Sequence, residues 1–122
     1  MNWWMLAGST MAAICAAGHA IAGWNLFYRP IRSAITDELA GGVLTGMWHL
    51  ITIHFALSAL ALGVGAVQRG LGLAAWLIAA QFAAYAAVYL LISLRLGGIF
   101  KLFQSLPFAA TALLSAAGAL SP

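Results

Sequence analysis

Residues 42–67 form an uninterrupted apolar stretch, and this stretch limits the folds open to the chain more than any other feature. It contains no Asp, Glu, Lys or Arg, and as a helix it would extend about 39 Å. The hydrocarbon layer of a bilayer is about 30 Å thick, so a helix of this length can cross it. The stretch also holds His49 and His54, and an ionisable side chain at membrane depth is a candidate functional residue.

The composition extends this interpretation to the rest of the chain. Of the 122 residues, 65% are hydrophobic and 6% are charged, and the mean hydropathy is +1.03. Soluble domains carry about 25% charged residues, so most of the surface of this chain must face lipid. The sequence therefore predicts one all-α transmembrane domain over residues 1–122, folded as an integral membrane four-helix bundle. Its spans are expected at residues 3–24, 42–67, 71–94 and 99–120.

Several residues predict where these helices begin, end or bend. Pro30 is expected to end the first helix, because proline cannot continue the helical hydrogen bonding. Asp37 and Glu38 are interpreted as acids that stabilise the start of the second helix, in preference to a catalytic carboxylate pair. The glycine pair at residues 41–42 is expected to allow a bend before the second span. Pro107 is expected to kink the last span, since a helix that begins after it is too short to cross.

The basic residues predict the orientation in the membrane. Four of the five lie in the first and third connections, and the middle connection carries the fifth, Arg69. Under the positive-inside rule, these two connections are inside and both termini are outside. We therefore expect a multi-pass protein of a bacterial inner membrane that contacts the lipid bilayer. No nucleic-acid partner is expected, because the few bases form no clustered basic face. The four basic residues of the first and third connections are Arg29, Arg32, Arg95 and Lys101.

Small residues recur at every fourth position of the first span, at Gly8, Ala12, Ala16 and Ala20. A helix face of this kind lets a second helix approach closely. The pattern predicts helix packing within the chain, a homo-oligomer, or a subunit of a larger membrane complex.

Three histidines lie within the spans, and their depths can be compared from the connection between the first two helices. His19 is about 8 Å from that connection and His49 about 10 Å, so the two lie at nearly the same level on antiparallel helices. His54 is about 18 Å deep and about 140° around the helix from His49. His49 and His54 therefore cannot hold one ion together on a regular helix, whereas His19 and His49 can approach each other.

The histidines leave three interpretations open. His19 and His49 could bind haem b or a transition metal, with Arg29 and Arg32 positioned for haem propionates. Each histidine could instead form a structural hydrogen bond to a hydroxyl group of a neighbouring helix. A transport pathway is the third interpretation, with His54 as its deepest residue.

The third span carries a polar stripe on one side. Gln81, Tyr85 and Tyr89 recur every four residues. Such a stripe is typical of a face that hydrogen-bonds within a bundle, and the same residues, with His54, are candidate ligand or pathway contacts.

No catalytic motif is present: the chain has no G-x-S-x-G, Walker-type glycine loop, C-x-x-C or H-E-x-x-H sequence. No catalytic residue is therefore predicted. The sequence favours a non-catalytic accessory or oligomeric membrane subunit. The alternatives are a haem- or metal-binding redox protein and a small homo-oligomeric transporter or channel.

Overall fold

The structure is a computed structural model that describes residues 1–68, 70–98 and 103–121. The described residues form four helices and no strand, which confirms the all-α prediction. The first three helices are 32, 30 and 24 residues long, and each is long and apolar enough to cross a membrane. The helices are α1 (Trp3–Ala34), α2 (Glu38–Val67), α3 (Gly72–Arg95) and α4 (Ser105–Leu120).

Helix α1 changes its hydrogen-bonding pattern along its length. Trp3–Gly18 and Arg29–Ala34 are α-helical, and His19–Tyr28 between them is π-helical. The backbone N–H of Arg29 donates to Trp24 O, which is the i to i−5 bond of a π-helix. Pro30 follows at the start of the last α-helical segment, where its missing N–H interrupts little. The expectation that Pro30 ends the first helix is therefore wrong, and helical backbone continues to residue 34.

Helix α2 begins earlier than its apolar stretch. The carboxylate of Asp37 accepts a hydrogen bond from Ala40 N at 2.7 Å and so caps the helix, with Glu38 in the first turn. The glycine pair at residues 41–42 lies inside this continuous helix, and the expected bend stays a prediction. A Cβ added at Gly41 would collide with the guanidinium of Arg32, which shows that this side chain lies directly against α2.

Helices α3 and α4 differ to different degrees from their expected spans. Helix α3 is displaced by one residue from the expected 71–94. Helix α4 begins only at Ser105, after a turn at residues 103–104, and the expected part at 99–102 lies outside the described residues. Pro107 is the third residue of α4, in the first turn, where the N–H groups have no helical partner. The kink expected at Pro107 stays a prediction.

The helices pack in the order α2, α1, α4, α3. Helix α1 contacts both α2 and α4, mainly through its first segment, Trp3–Gly18, and α4 also contacts α3 closely. Helices α2 and α3 meet mainly through large side chains such as Phe55 and Phe82, whose ring centroids are 5.5 Å apart. Gly8 and Ala12 of the small-residue face are buried, whereas Ala20 is exposed.

Asn2 joins one end of the bundle. Its side-chain Oδ1 accepts a hydrogen bond from Met5 N at 3.1 Å and caps α1. Its Nδ2 donates to Gly118 O of α4 at 2.8 Å, and its backbone N–H donates to Ala66 O of α2 at 2.7 Å. One residue therefore positions the start of α1 against the ends of two other helices.

Candidate functional site

His19 is the first residue of the π-helical segment, and it faces α2. Its Nδ1 lies 2.8 Å from Thr52 Oγ1, and the Thr52 hydroxyl donates to Trp48 O at 3.1 Å. The tautomer of the imidazole sets which of the two groups donates in the His19–Thr52 hydrogen bond. The His19 ring also stacks on the indole of Trp48, with ring centroids 4.0 Å apart.

A second pair of linked hydrogen bonds of the same kind lies nearer the connection between α1 and α2. Tyr28 Oη is 2.8 Å from Thr45 Oγ1, which donates to Gly41 O at 2.8 Å. At both places a threonine of α2 donates to the carbonyl four residues earlier and is hydrogen-bonded to a side chain of α1. The His19–Thr52 contact is of the kind considered for the histidines from the sequence, and the two contacts join α1 and α2 at two levels.

Trp48 lies between these two sets of hydrogen bonds, against the backbone of α1. A Cβ added at Gly23 would be 3.1 Å from Trp48 Cζ2, so only glycine leaves the indole its full room. The Trp48 ring is also 5.3 Å from the ring of Tyr28, which in turn stacks on Trp24 at 4.1 Å. The space beside Gly23 therefore holds the indole of Trp48.

The other proposed ligand residues lie further out. His49 is exposed, and its ring centroid is 5.8 Å from that of Trp24. Arg29 is exposed, with Nη1 3.5 Å from Asn25 Oδ1. Arg32 donates from Nη1 to Ile35 O at 3.3 Å. Haem or metal binding by His19 and His49 stays a prediction. Across residues 1–68, 70–98 and 103–121, no three His, Cys, Asp or Glu side chains group as metal ligands.

Three of the candidate pathway residues meet between α2 and α3. The rings of His54 and Tyr85 are 6.0 Å apart, edge to face, and Gln81 Nε2 donates to Tyr85 Oη at 2.8 Å. His54 Nε2 is 3.4 Å from Ser58 Oγ of its own helix. Tyr89 packs on Phe108 of α4, with ring centroids 5.5 Å apart. The role of this polar cluster in transport stays a prediction.

A cavity of about 420 Å³ lies beside His19, and sequence reasoning did not identify it. The π-helical segment of α1, Trp48 and Phe55 of α2, Tyr89 of α3 and the start of α4 line it. Its lining residues come from four helices, so no local sequence motif predicts the cavity. Its most informative signal in the sequence is Gln104, a polar residue just before a helix that otherwise offers apolar side chains to the cavity.

Two residues of the cavity lining each hold a buried polar atom without a hydrogen-bond partner. Within the part of the chain that the structure describes, Trp48 Nε1 and Gln104 Oε1 form no hydrogen bond. Ser115 Oγ shares this property, but it lies near Gly8 at the contact of α4 with α1. A buried polar atom without a partner costs about 1–3 kcal/mol, so its presence calls for a ligand or water at that place.

Comparisons with models of protein families, with curated proteins and with solved structures each gave no match.

We expect the His19–Thr52 hydrogen bond to stabilise the contact of α1 with α2. His19→Phe keeps the ring on Trp48 and removes the nitrogen, and Thr52→Val keeps the shape and removes the hydroxyl. Each change should lower the free energy of unfolding in detergent by about 1 kcal/mol, with a coupling near 0.6 kcal/mol in the double variant. Denaturation of the four proteins by SDS, followed by circular dichroism, measures both quantities.

His49→Ala is the control, because the exposed His49 side chain should contribute little to stability. Visible absorption spectra of the same samples test the haem interpretation. A Soret band that both His19→Phe and His49→Ala abolish would replace the structural hydrogen bond with a shared haem ligand set.

Proposed function

We propose that this chain is an integral membrane protein with a non-catalytic role, and that two copies assemble through the outer face of α3. The exposed side chain of Gln81 near the middle of α3 is the observation that supports this proposal. A polar side chain that faces hydrocarbon is costly and normally faces a protein partner.

The surface of the helices supports membrane insertion. Large apolar side chains are exposed on every helix, among them Ile21 at 68%, Leu50 at 66%, Leu77 at 64% and Leu113 at 72%. An exposed apolar surface of this extent favours lipid over water as the surroundings. Three helices of membrane-spanning length point the same way.

The chemistry of Gln81 supports a second copy as the partner. The amide is both a donor and an acceptor, and the described contacts use one of its N–H bonds, to Tyr85. Two such amides can pair across a two-fold axis, because each can donate an N–H to the oxygen of the other. Ala84 lies one turn along the same exposed face and lets the helices approach closely.

Cysteine cross-linking in native membranes tests this assembly. In a Cys15→Ala background, Ala84→Cys should form a disulfide-linked dimer on oxidation. Ala17→Cys, exposed near the middle of α1, is the matched control and should remain monomeric. Gln81→Leu should weaken dimer formation in detergent about tenfold, as expected for the loss of interhelical hydrogen bonds of 1–2 kcal/mol.

Two results would contradict the proposal in separate ways. Release of the protein from membranes by alkaline carbonate would exclude integral insertion. Equal cross-linking at residues 17 and 84, or no change with Gln81→Leu, would exclude assembly through α3. Cross-linking of Ala84→Cys to another protein would point to a larger complex instead.

A further inference from the structure

The cavity beside His19 extends along one side of α1. Its lining residues on this helix run from Ile14 to Ile31, a distance of roughly 20–25 Å along the helix axis. In the middle of this side, a Cβ added at Gly18 meets no atom within 4 Å, and Ala22, one turn further on, is exposed. Small residues between larger ones therefore leave an elongated space, parallel to a helix that is long enough to cross a membrane.

The cavity reaches from the outer surface of the helices toward their aromatic centre. Five of its large apolar lining side chains are at least 37% exposed: Ile14, Leu26, Phe27, Ile31 and Phe103. Other lining side chains, among them Phe55 and Phe108, are buried. In a membrane, the exposed side chains face the acyl chains of the lipids, so the cavity is open to those chains.

The lining selects an uncharged occupant. No Asp, Glu, Lys or Arg is among the described residues that line the cavity, so a charged group would find no counter-ion there. Water is also a poor occupant, because a mostly apolar cavity offers it few hydrogen-bond partners. Hydrocarbon satisfies the lining, since apolar side chains need only close contact with other apolar atoms.

The width of the cavity favours a single chain over a helix. A volume of about 420 Å³ spread along α1 corresponds to a mean cross-section of roughly 20 Å². A helix with its side chains is about 10 Å across and needs roughly 80 Å², so a helix of a second copy is too wide. A linear hydrocarbon chain is much thinner than a helix, and the bilayer supplies such chains along the whole span of α1.

We infer that this cavity binds one acyl chain of a membrane lipid, which lies along α1 over Gly18 and Ala22. The chain supplies the contacts that an empty cavity would deny to the side chains around it. This inference rests on the membrane insertion proposed above, but it does not depend on dimer formation through α3.

A lipid with one chain tests the inference in a detergent that has none. The purified protein is kept in CHAPS, whose rigid steroid rings cannot enter the cavity as a linear chain. Titration with 1-palmitoyl lysophosphatidylcholine should raise the unfolding temperature saturably, and native mass spectrometry should detect one bound molecule per protein chain. Glycerophosphocholine has the same headgroup without the chain and should bind at least tenfold more weakly, because it buries no hydrocarbon.

Two glycine variants locate the chain. Gly18→Leu places a side chain in the cavity without a clash of its Cβ, so affinity for the lysolipid should fall at least tenfold. Gly46→Leu is the matched control, since a Cβ at Gly46 also meets nothing and this residue lies outside the cavity lining. Both variants gain the same helix propensity, so a difference between them in lipid binding reports the cavity.

A second pair of variants on α1 tests the same site independently of Gly18. Ala22→Leu should also lower affinity for the lysolipid at least tenfold, because Ala22 lines the cavity. Ala17→Leu should leave it unchanged, since Ala17 is exposed but lies outside the lining. Native mass spectra of all four variants give both the lipid adducts and the oligomeric state.

Three results would overturn the inference. The first is equal lysolipid binding in each cavity variant and its control. The second is equal binding of glycerophosphocholine and the lysolipid, which would assign the contact to the headgroup. The third is loss of a dimer in Gly18→Leu without any lipid adduct in the wild type, which would show that a second copy covers the cavity. These titrations use no bilayer, so their failure is distinct from release of the protein by alkaline carbonate, which would contradict membrane insertion.

Discussion

Phe82→Ala is expected to lower the free energy of unfolding by about 2–3 kcal/mol. The side chain is completely buried. The centroid of its ring is 5.5 Å from that of Phe55, 5.8 Å from that of Tyr85 and 5.9 Å from that of Phe108. In soluble proteins Phe→Ala costs about 3–5 kcal/mol, part of which is transfer of the side chain out of water. Unfolded helices in a membrane or micelle expose this ring to hydrocarbon, so mainly the cavity cost remains.

Leu77→Ala on the same helix is the control for Phe82→Ala. Leu77 is 64% exposed, so its truncation should change stability by less than about 0.5 kcal/mol. SDS denaturation from mild detergent, followed by near-ultraviolet circular dichroism, compares the two variants with the wild type. Equal, small losses would show that the aromatic residues between α2, α3 and α4 do not form the packed centre of the protein.

The length of the uncharged apolar stretches was enough to predict helices, since such stretches favour little else. The ends of these helices were harder to predict. Proline and paired glycines usually interrupt helices. Here a π-helical segment directly precedes the α-helical segment that contains Pro30. Asp37 caps α2 upstream of the glycine pair at residues 41–42, so the glycines lie inside that helix. A π-helical segment leaves little trace in a sequence that is apolar on all sides, because no polar face shows the change of period.

The candidate site was predicted in part. Counting depth from the shared connection put His19 level with His49 of α2, and in the structure Trp48 and Thr52 contact His19. Depth alone gives no rotation about the helix axis, and the π-helical turn begins at His19 itself, so the facing residue could not be fixed. The cavity depends on side chains from four helices and follows only from their packing.

Gly118→Leu is expected to have the largest effect on stability, a loss of about 3 kcal/mol or more. A Cβ at Gly118 would lie 2.6 Å from Met5 Cγ, 3.0 Å from Met5 N and 3.3 Å from Met5 Cα. The methionine side chain can move, but the backbone of α1 cannot move without separating from α4. Separation would also break the hydrogen bond of 2.8 Å from Asn2 Nδ2 to Gly118 O. Overpacking of this kind typically costs about 1–3 kcal/mol, and here a buried hydrogen bond is lost as well.

The variants Gly118→Ala and Gly46→Ala distinguish the steric effect of the α1–α4 contact from the effect of replacing glycine by alanine on helix propensity. Gly118→Ala should already destabilise by about 1–3 kcal/mol, because its single methyl group is the atom that collides with α1. Gly46→Ala meets no atom within 4 Å and lies inside α2, so it should stabilise by about 0.5–1 kcal/mol. SDS denaturation of the three variants measures these opposite signs. Stabilisation by Gly118→Ala would show that α1 and α4 do not approach at this point, and the described end of the bundle would then be wrong.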